Sequence, residues 1–330
     1  MSDVLSVRRE FLFLADIRNG NPNGDPSTNQ PRRLPNNRIS PSFARLKRYD
    51  RDTCIAKGQN VLIAKDGGIA RTLGAAILKW SEDNKDLLKK DKKGKIDAQD
   101  AFKALCAHYP DIRRYGSSLA ITEVDFTPKS LTGAVQIAPG LGLHDVHEVF
   151  SQGTTVMAGQ EKNKQGTLTA SSWLTYCLFG WNGIANELNA QITGMTTAEY
   201  YEMLHNFWNG IRSQGNTHSK TCQSPRFMVS ITNKKGNEHQ FGTLLDYVAT
   251  RAKNGLGERD WQSPFDYTLD ISKLVERVQQ YAHCIEKVEF DVHPDMTLSP
   301  KIPSDWIFMN IEGFPAKSIK GLLVDQVEAK

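Results

Sequence analysis

The sequence predicts an α+β fold, a sheet with helices packed on one face, on the strength of three observations. Short apolar runs bounded by turn formers recur along the chain, amphipathic segments of helical period separate them, and one mainly helical, lysine-rich block interrupts the series. A length of 330 residues allows one large domain or two ordinary ones with a sizeable core.

Arg9 to Ile17 is rich in Phe, Leu and Ile and reads as a strand. It must end at Asn19–Pro26, a stretch of almost nothing but turn formers. Ser40-Pro41 resembles a helix start, and a helix from Pro41 to about Ala56 would carry Arg45, Lys47, Arg48 and Arg51. Lys47 and Arg51 stand four apart on that helix and share a face. Ala70–Ser81 and Ala98–His108 also have helical spacing, with a solvated Lys/Asp-rich stretch at 82–97 between them. Strand signals return at Ser117–Val124 and Leu131–Ile137. Pro139–Thr169 lacks a helical period and reads as an extended hairpin or long loop. A strand is expected at Leu174–Ile184, a helix capped by Thr196 or Thr197 running to Trp208, and a strand at Arg226–Thr232. A helix over Ile271–Cys284 and a strand at Val288–Val292 complete the series. A ferredoxin-like β-α-β-β-α-β core, the topology of RNA-recognition (RRM) domains, accommodates this order.

Composition excludes several classes. Apolar runs such as Val61–Ala64 are too short to span a bilayer, and the N-terminus lacks a basic start followed by an apolar region. Five scattered cysteines, none in a C-x-x-C pair, argue against a disulfide framework or a zinc site and fit a reducing cytoplasm. The net charge of +4 is unevenly spread. Arg32–Lys57 holds eight Lys/Arg against two acids, and Met203–Asn237 holds five against none, whereas His283–Glu312 has six acids and two lysines. Two basic tracts on a nearly neutral chain suit a localised polyanion site as well as a solvated basic face.

No nucleophile with a recognisable base, phosphate loop or dinucleotide fingerprint is present. His144, His147 and Glu148 are close in sequence, but the order is neither H-E-x-x-H nor H-x-x-E-H and the segment does not read as a helix, so they read as surface polar residues. No catalytic residue, metal ligand or cofactor is assigned.

Gly20-Asn21-Pro22-Asn23-Gly24-Asp25-Pro26 at a strand end, followed by Leu46-Lys47-Arg48-Tyr49-Asp50-Arg51 on a helix, resembles the family-seven Cas proteins, above all the type I-B branch. The likeness continues in order through Leu131–Gln136, Gly142-Leu143-His144, Trp208–Arg212, Asn216–Lys220 and Pro225-Arg226. The resemblance implies an RRM-like palm (1–57, 115–137 and 169–330), helical fingers inserted at 58–114, and a β-hairpin thumb at 138–168. It further implies a non-catalytic backbone subunit of a type I Cascade complex in the cytoplasm. Such a subunit lines up head to tail with other copies along the guide RNA (crRNA), meets the other Cascade subunits, and presents the guide to target DNA. The RNA-binding set it suggests is Asn21, Asn23, Ser42, Arg45, Lys47, Arg48, Arg51, Gln136, Lys162, Lys164, Arg212, Lys220 and Arg226. Two rivals remain. One is a type III-like subunit that cuts target RNA through Asp25, with Asp16 upstream. The other is a stand-alone RRM protein, whose aromatic-rich signature strand is missing.

Overall fold

The computed structural model describes residues 3–65, 69, 72–87, 97–118, 130–154, 168–215, 217–253 and 255–324. Strand β1 (Arg9–Gly20) leads through the turn-rich loop to α1 (Phe43–Ala56). Helices α2 (Leu73–Asp83), α3 (Ala98–His108) and α4 (Pro110–Tyr115) follow. Five short strands come next: β2 (Gly116–Ser118), β3 (Ser130–Thr132), β4 (Val135–Ile137), β5 (Leu141–Gly142) and β6 (Glu148–Thr154). The long β7 (Leu168–Ala185), α5 (Glu187–Thr193) and α6 (Thr197–Ser213) precede β8 (Gln223–Asn233). The chain closes with β9 (Ala249–Ala252), β10 (Tyr267–Asp270), α7 (Ser272–Gln280), β11 (Ile285–Val292), β12 (Leu298–Ser299) and β13 (Ile307–Phe308).

The main sheet has the order β13-β11-β8-β1-β7-β4, with β5 and β6 also paired to β7. Because β1 is antiparallel to both β7 and β8, and β4 is antiparallel to β7, two β-α-β crossovers interleave. One runs from β1 through α1 to β4, and the other from β7 through α6 to β8.

Helices cover one face, as expected, but the second face is covered too. Phe11, Phe13, Ala15 and Ile17 of β1 meet Leu46 and Tyr49 of α1 and Phe207 and Trp208 of α6. Leu12 and Leu14 point the opposite way, to Phe241, Trp261, Tyr267 of β10 and Leu274 of α7. A strand buried on both faces cannot alternate polar with apolar, which is why Arg9–Ile17 reads as a nearly continuous apolar run. Part of the covering layer comes from 234–271, where β9, β10 and 3₁₀ turns are too short to leave a periodic signal, and the rest from α7 and the segments after it.

Several boundaries move for local reasons. The cap of α1 is Ser42, because the Pro41 carbonyl accepts from Gly140 N at 2.8 Å and from the Trp181 indole at 3.2 Å, holding Ser40-Pro41 outside the helix. A reciprocal Thr196–Glu199 capping box starts α6, which continues beyond Trp208 to Ser213. The seven residues of α5 form a helix the sequence reading missed, and α7 ends at Gln280 rather than Cys284. The helical block has its own apolar cluster, with Ile77 and Trp80 of α2 against Phe102 and Leu105 of α3 and Ile112 of α4. Among the described residues no helix is long and apolar enough to cross a membrane.

Candidate nucleic-acid interface

The end of β1, the loop after it, the start of α1 and the 217–222 loop converge on one edge of the molecule. Arg18 N donates to the Cys222 carbonyl and Asn21 N to the Ser219 carbonyl, both at 2.9 Å. Gly20 makes this approach possible, since a Cβ there would lie 2.7 Å from the Ser219 oxygen. Asn21 folds the loop: its Oδ1 accepts from Asn23 N at 3.0 Å and its Nδ2 donates to the Asn29 carbonyl. Asn23 Oδ1 then accepts from Ser42 N at 2.8 Å, and Ser42 Oγ accepts from Arg45 N, so the loop is tied to the first turn of α1. On the inner side α1 lies close to α6 at Gly210, where a Cβ would come within 2.7 Å of the Tyr49 carbonyl oxygen.

Arg45 and Lys220 meet at this edge, and a third cation, Lys47, stands on the side of α1 that it shares with Arg51. The Arg45 guanidinium lies 4.5 Å from the Tyr49 ring centroid, and its buried Nε has no acceptor among the described residues. Lys220 Nζ donates to the Asn21 carbonyl. Lys47 Nζ sits between two rings, 5.2 Å from Phe43 and 4.9 Å from Tyr115. Burial, with help from the Arg45 charge, pulls the Lys220 pKa down to about 7. Burial and Arg51 bring Lys47 to about 8. Among the described residues none of the three has a carboxylate within ion-pair distance. Crowded, partly desolvated cations without an acid create a demand for an external anion.

The other proposed contacts are placed differently. Arg48 pairs with Asp52 one turn on, on a half-exposed surface. Arg51 donates to the buried Asp111 at 3.1 Å, and Arg226 donates to the buried Asp16 at 2.7 Å, where the Tyr176 hydroxyl also donates. Both guanidiniums are thus turned inward. Arg212 is 52% exposed and pairs with Glu312 at 3.1 Å. Gln136 is exposed on β4, its amide on the Gly133 carbonyl. Lys162 and Lys164 lie outside the described residues, as does most of the tip of the 138–168 segment. Two more residues stand at the same edge: Arg18, exposed, with no side-chain partner among the described residues, which the sequence reading passed over, and Phe43, whose helical spacing with Leu46 and Ile55 predicts an inward face but which is 44% exposed.

The histidine cluster requires a correction. His144 is 1% exposed rather than at the surface. Its Nε2 accepts from Leu178 N at 3.0 Å and its Nδ1 is 2.8 Å from the Asp145 carbonyl, with Trp261 against the ring, and burial lowers its pKa. Glu148 accepts from Arg33, and His147 faces Asp260 at 3.7 Å. Among the described residues no group of three acids, histidines or cysteines is arranged to hold a metal ion. Asp25 Oδ1 accepts from Ser27 N at 2.9 Å and from the Ser27 hydroxyl, and these bonds lower its pKa.

A sheet covered on both faces, with interleaved crossovers, is a fold seen before. A chain of a solved "CRISPR RNA-guided surveillance complex, pre-nicking" shares it at a TM-score of 0.52 and 13% identity, over 86% of this chain and 92% of that one. The sequence goes further: residues 7–272 match the family model of CRISPR-associated protein Cas7, and the chain belongs to that family. A CRISPR-associated protein Cas7 from Haloferax volcanii is 27% identical over 302 residues, covering 84% of this chain and 85% of its own length.

Proposed function

We propose that this chain is a crRNA-binding backbone subunit of a type I Cascade complex, of the type I-B branch, and that it carries no catalytic activity of its own. The observation that carries the reading is the set of three cations, Arg45, Lys47 and Lys220, around the start of α1, with no carboxylate within ion-pair distance among the described residues. Phosphates of a single strand would satisfy them, with α1 offering the open amide end of its first turn as well. Both faces of the sheet are occupied by apolar side chains, so the strand runs along the loop edge rather than across the sheet. Such contacts leave base edges free to pair with target DNA, and sequence reading then belongs to the guide. The strand order β8-β1-β7-β4 with its two crossovers supports the RRM-like palm, and the separate apolar cluster supports helical fingers at 58–114. The β6–β7 hairpin supports a thumb at 138–168. Copies of the chain would stack head to tail along the guide, with other Cascade subunits, in the cytoplasm. Arg51 and Arg226 serve the fold, and the phosphate contacts fall to Arg45, Lys47 and Lys220, with Arg18, Arg48 and Arg212 at the margin.

The test is a titration of the Arg45→Ala/Lys220→Ala protein with single-stranded RNAs of unrelated sequence. Affinity should fall alike for all of them, and the slope of log K against log salt should shrink by about 1.4, at about 0.7 per lost phosphate contact. A loss confined to one sequence, or an unchanged slope, would contradict the proposal.

A further inference from the structure

Phe43 is the first residue of α1 and is 44% exposed, while Leu46 and Tyr49, which fasten the helix to the sheet, are fully buried. The phenyl ring therefore contributes little to the core that orders the helix. Its setting is specific. Ser42 before it caps the helix and is held by Asn23, Arg45 follows two residues on, and Lys47 one turn later places its amine over the ring. Lys47 is in turn held by Tyr115, itself bonded to the buried Asp50, so the surroundings of the ring are fixed rather than loose. A partly exposed ring thus has one cation, Lys47, against it and a second, Arg45, two residues on, and neither has a carboxylate within ion-pair distance among the described residues.

We infer that Phe43 is a stacking platform for a nucleobase of the bound strand, while Arg45, Lys47 and Lys220 hold the phosphates on either side of that base. The inference rests on the reading of this edge as an RNA interface. Every base presents a π-face, so stacking adds affinity without selecting a sequence, as a subunit serving any guide requires. It also fixes which nucleotide sits at the helix start, giving each copy a defined register on the strand.

The experiment uses the full-length protein and a guide-length RNA carrying 2-aminopurine at one position at a time. In the wild type, particular positions are quenched on binding. In Phe43→Ala that quenching is lost, and affinity falls roughly 5- to 150-fold for every sequence, the range expected for one stacked base. The salt slope stays at its wild-type value, because no phosphate contact is removed. Phe43→Trp keeps both quenching and affinity. Phe43→Leu, which retains apolar cover for Lys47 without a π-face, behaves as Phe43→Ala does and serves in its place should the alanine protein melt early. Wild-type quenching in the leucine protein, or affinity within twofold of wild type, would overturn the inference. If Arg45→Ala/Lys220→Ala weakens binding while Phe43→Leu does not, only the stacking role fails. If neither weakens it, the RNA edge itself is misplaced.

Discussion

Replacing Arg114 by Met should cost this protein more stability than any surface charge change. Arg114 and Asp50 are both 0% exposed and meet at 2.6 Å. The second guanidinium nitrogen reaches Glu202 at 2.6 Å. Asp50 also accepts from the Tyr115 hydroxyl at 2.7 Å and from Asn206 at 2.8 Å, so three helices, α1, α4 and α6, share one buried carboxylate. Removing the cation leaves that carboxylate buried with neutral donors only, a change that costs about 3–5 kcal/mol. With an unfolding entropy of about 2.1 cal/mol/K per residue, the 330 residues give about 0.7 kcal/mol/K, and the melting temperature should drop by about 4–7 °C. Arg114→Lys, which keeps the charge but cannot reach both acids, should fall in between. Arg48→Met, breaking the exposed i,i+4 pair with Asp52, should cost about 0.3–0.5 kcal/mol and move the melt by less than about 1 °C. Differential scanning calorimetry at neutral pH reads all three. An Arg114→Met protein melting within about a degree of wild type, or above the lysine variant, would show that the buried pair does not hold the helices together.

Three further outcomes are expected. Lys220, drawn down to about 7, is largely neutral at pH 8; a phosphate favours its charged form, so binding takes up a proton. RNA affinity should therefore rise as pH falls from 8 to 6, and Lys220→Arg should flatten the profile, whereas equal affinity at the two ends would refute the coupling. Because Thr154 pairs with Leu168, replacing residues 155–167 by Asn-Gly should close the hairpin with an unchanged thermal melt. Particles assembled on guide-length RNA should lose their regular spacing in electron micrographs, and a lower melting temperature would mean the segment belongs to the core. Labelled complementary RNA incubated with the assembled complex and Mg²⁺ should stay intact on a denaturing gel, and Asp25→Ala should assemble nearly normally. Evenly spaced fragments that vanish in Asp25→Ala would favour the type III-like reading.

What the sequence discloses here follows the range of the interactions. Strand β1, the turn cluster after it and α1 rest on local signals, and all three are legible. The second face of the sheet is not, because Phe241, Trp261 and Tyr267 come from short irregular segments whose partners lie far away in the chain. His144 reads as a surface histidine because its neighbours Asp145 and His147 are polar, and only the fold shows it seated on Tyr176 and Trp261. The same holds for the cations. A row of Lys/Arg on a helix does not reveal that Asp111, 60 residues away, claims Arg51, or that Asp16, 210 residues away, claims Arg226. Lys220 and Arg45 influence each other although they belong to different motifs.

The placement of β1 between two cores has a consequence for inheritance. Phe13 stacks near Trp181 and Phe207 on one side, while Leu12 and Leu14 belong to the cluster of Tyr267 and Leu274 on the other. A change of volume at Phe11 or Phe13 is relieved within its own cluster, chiefly in α1, α6 and the neighbouring strands. A change at Leu12 or Leu14 is relieved among Tyr176 and Leu178 of β7 and, for the most part, the C-terminal third of the chain. Odd and even positions of a single strand should therefore drift in company with two separate sets of residues, and the two sets should drift independently of each other.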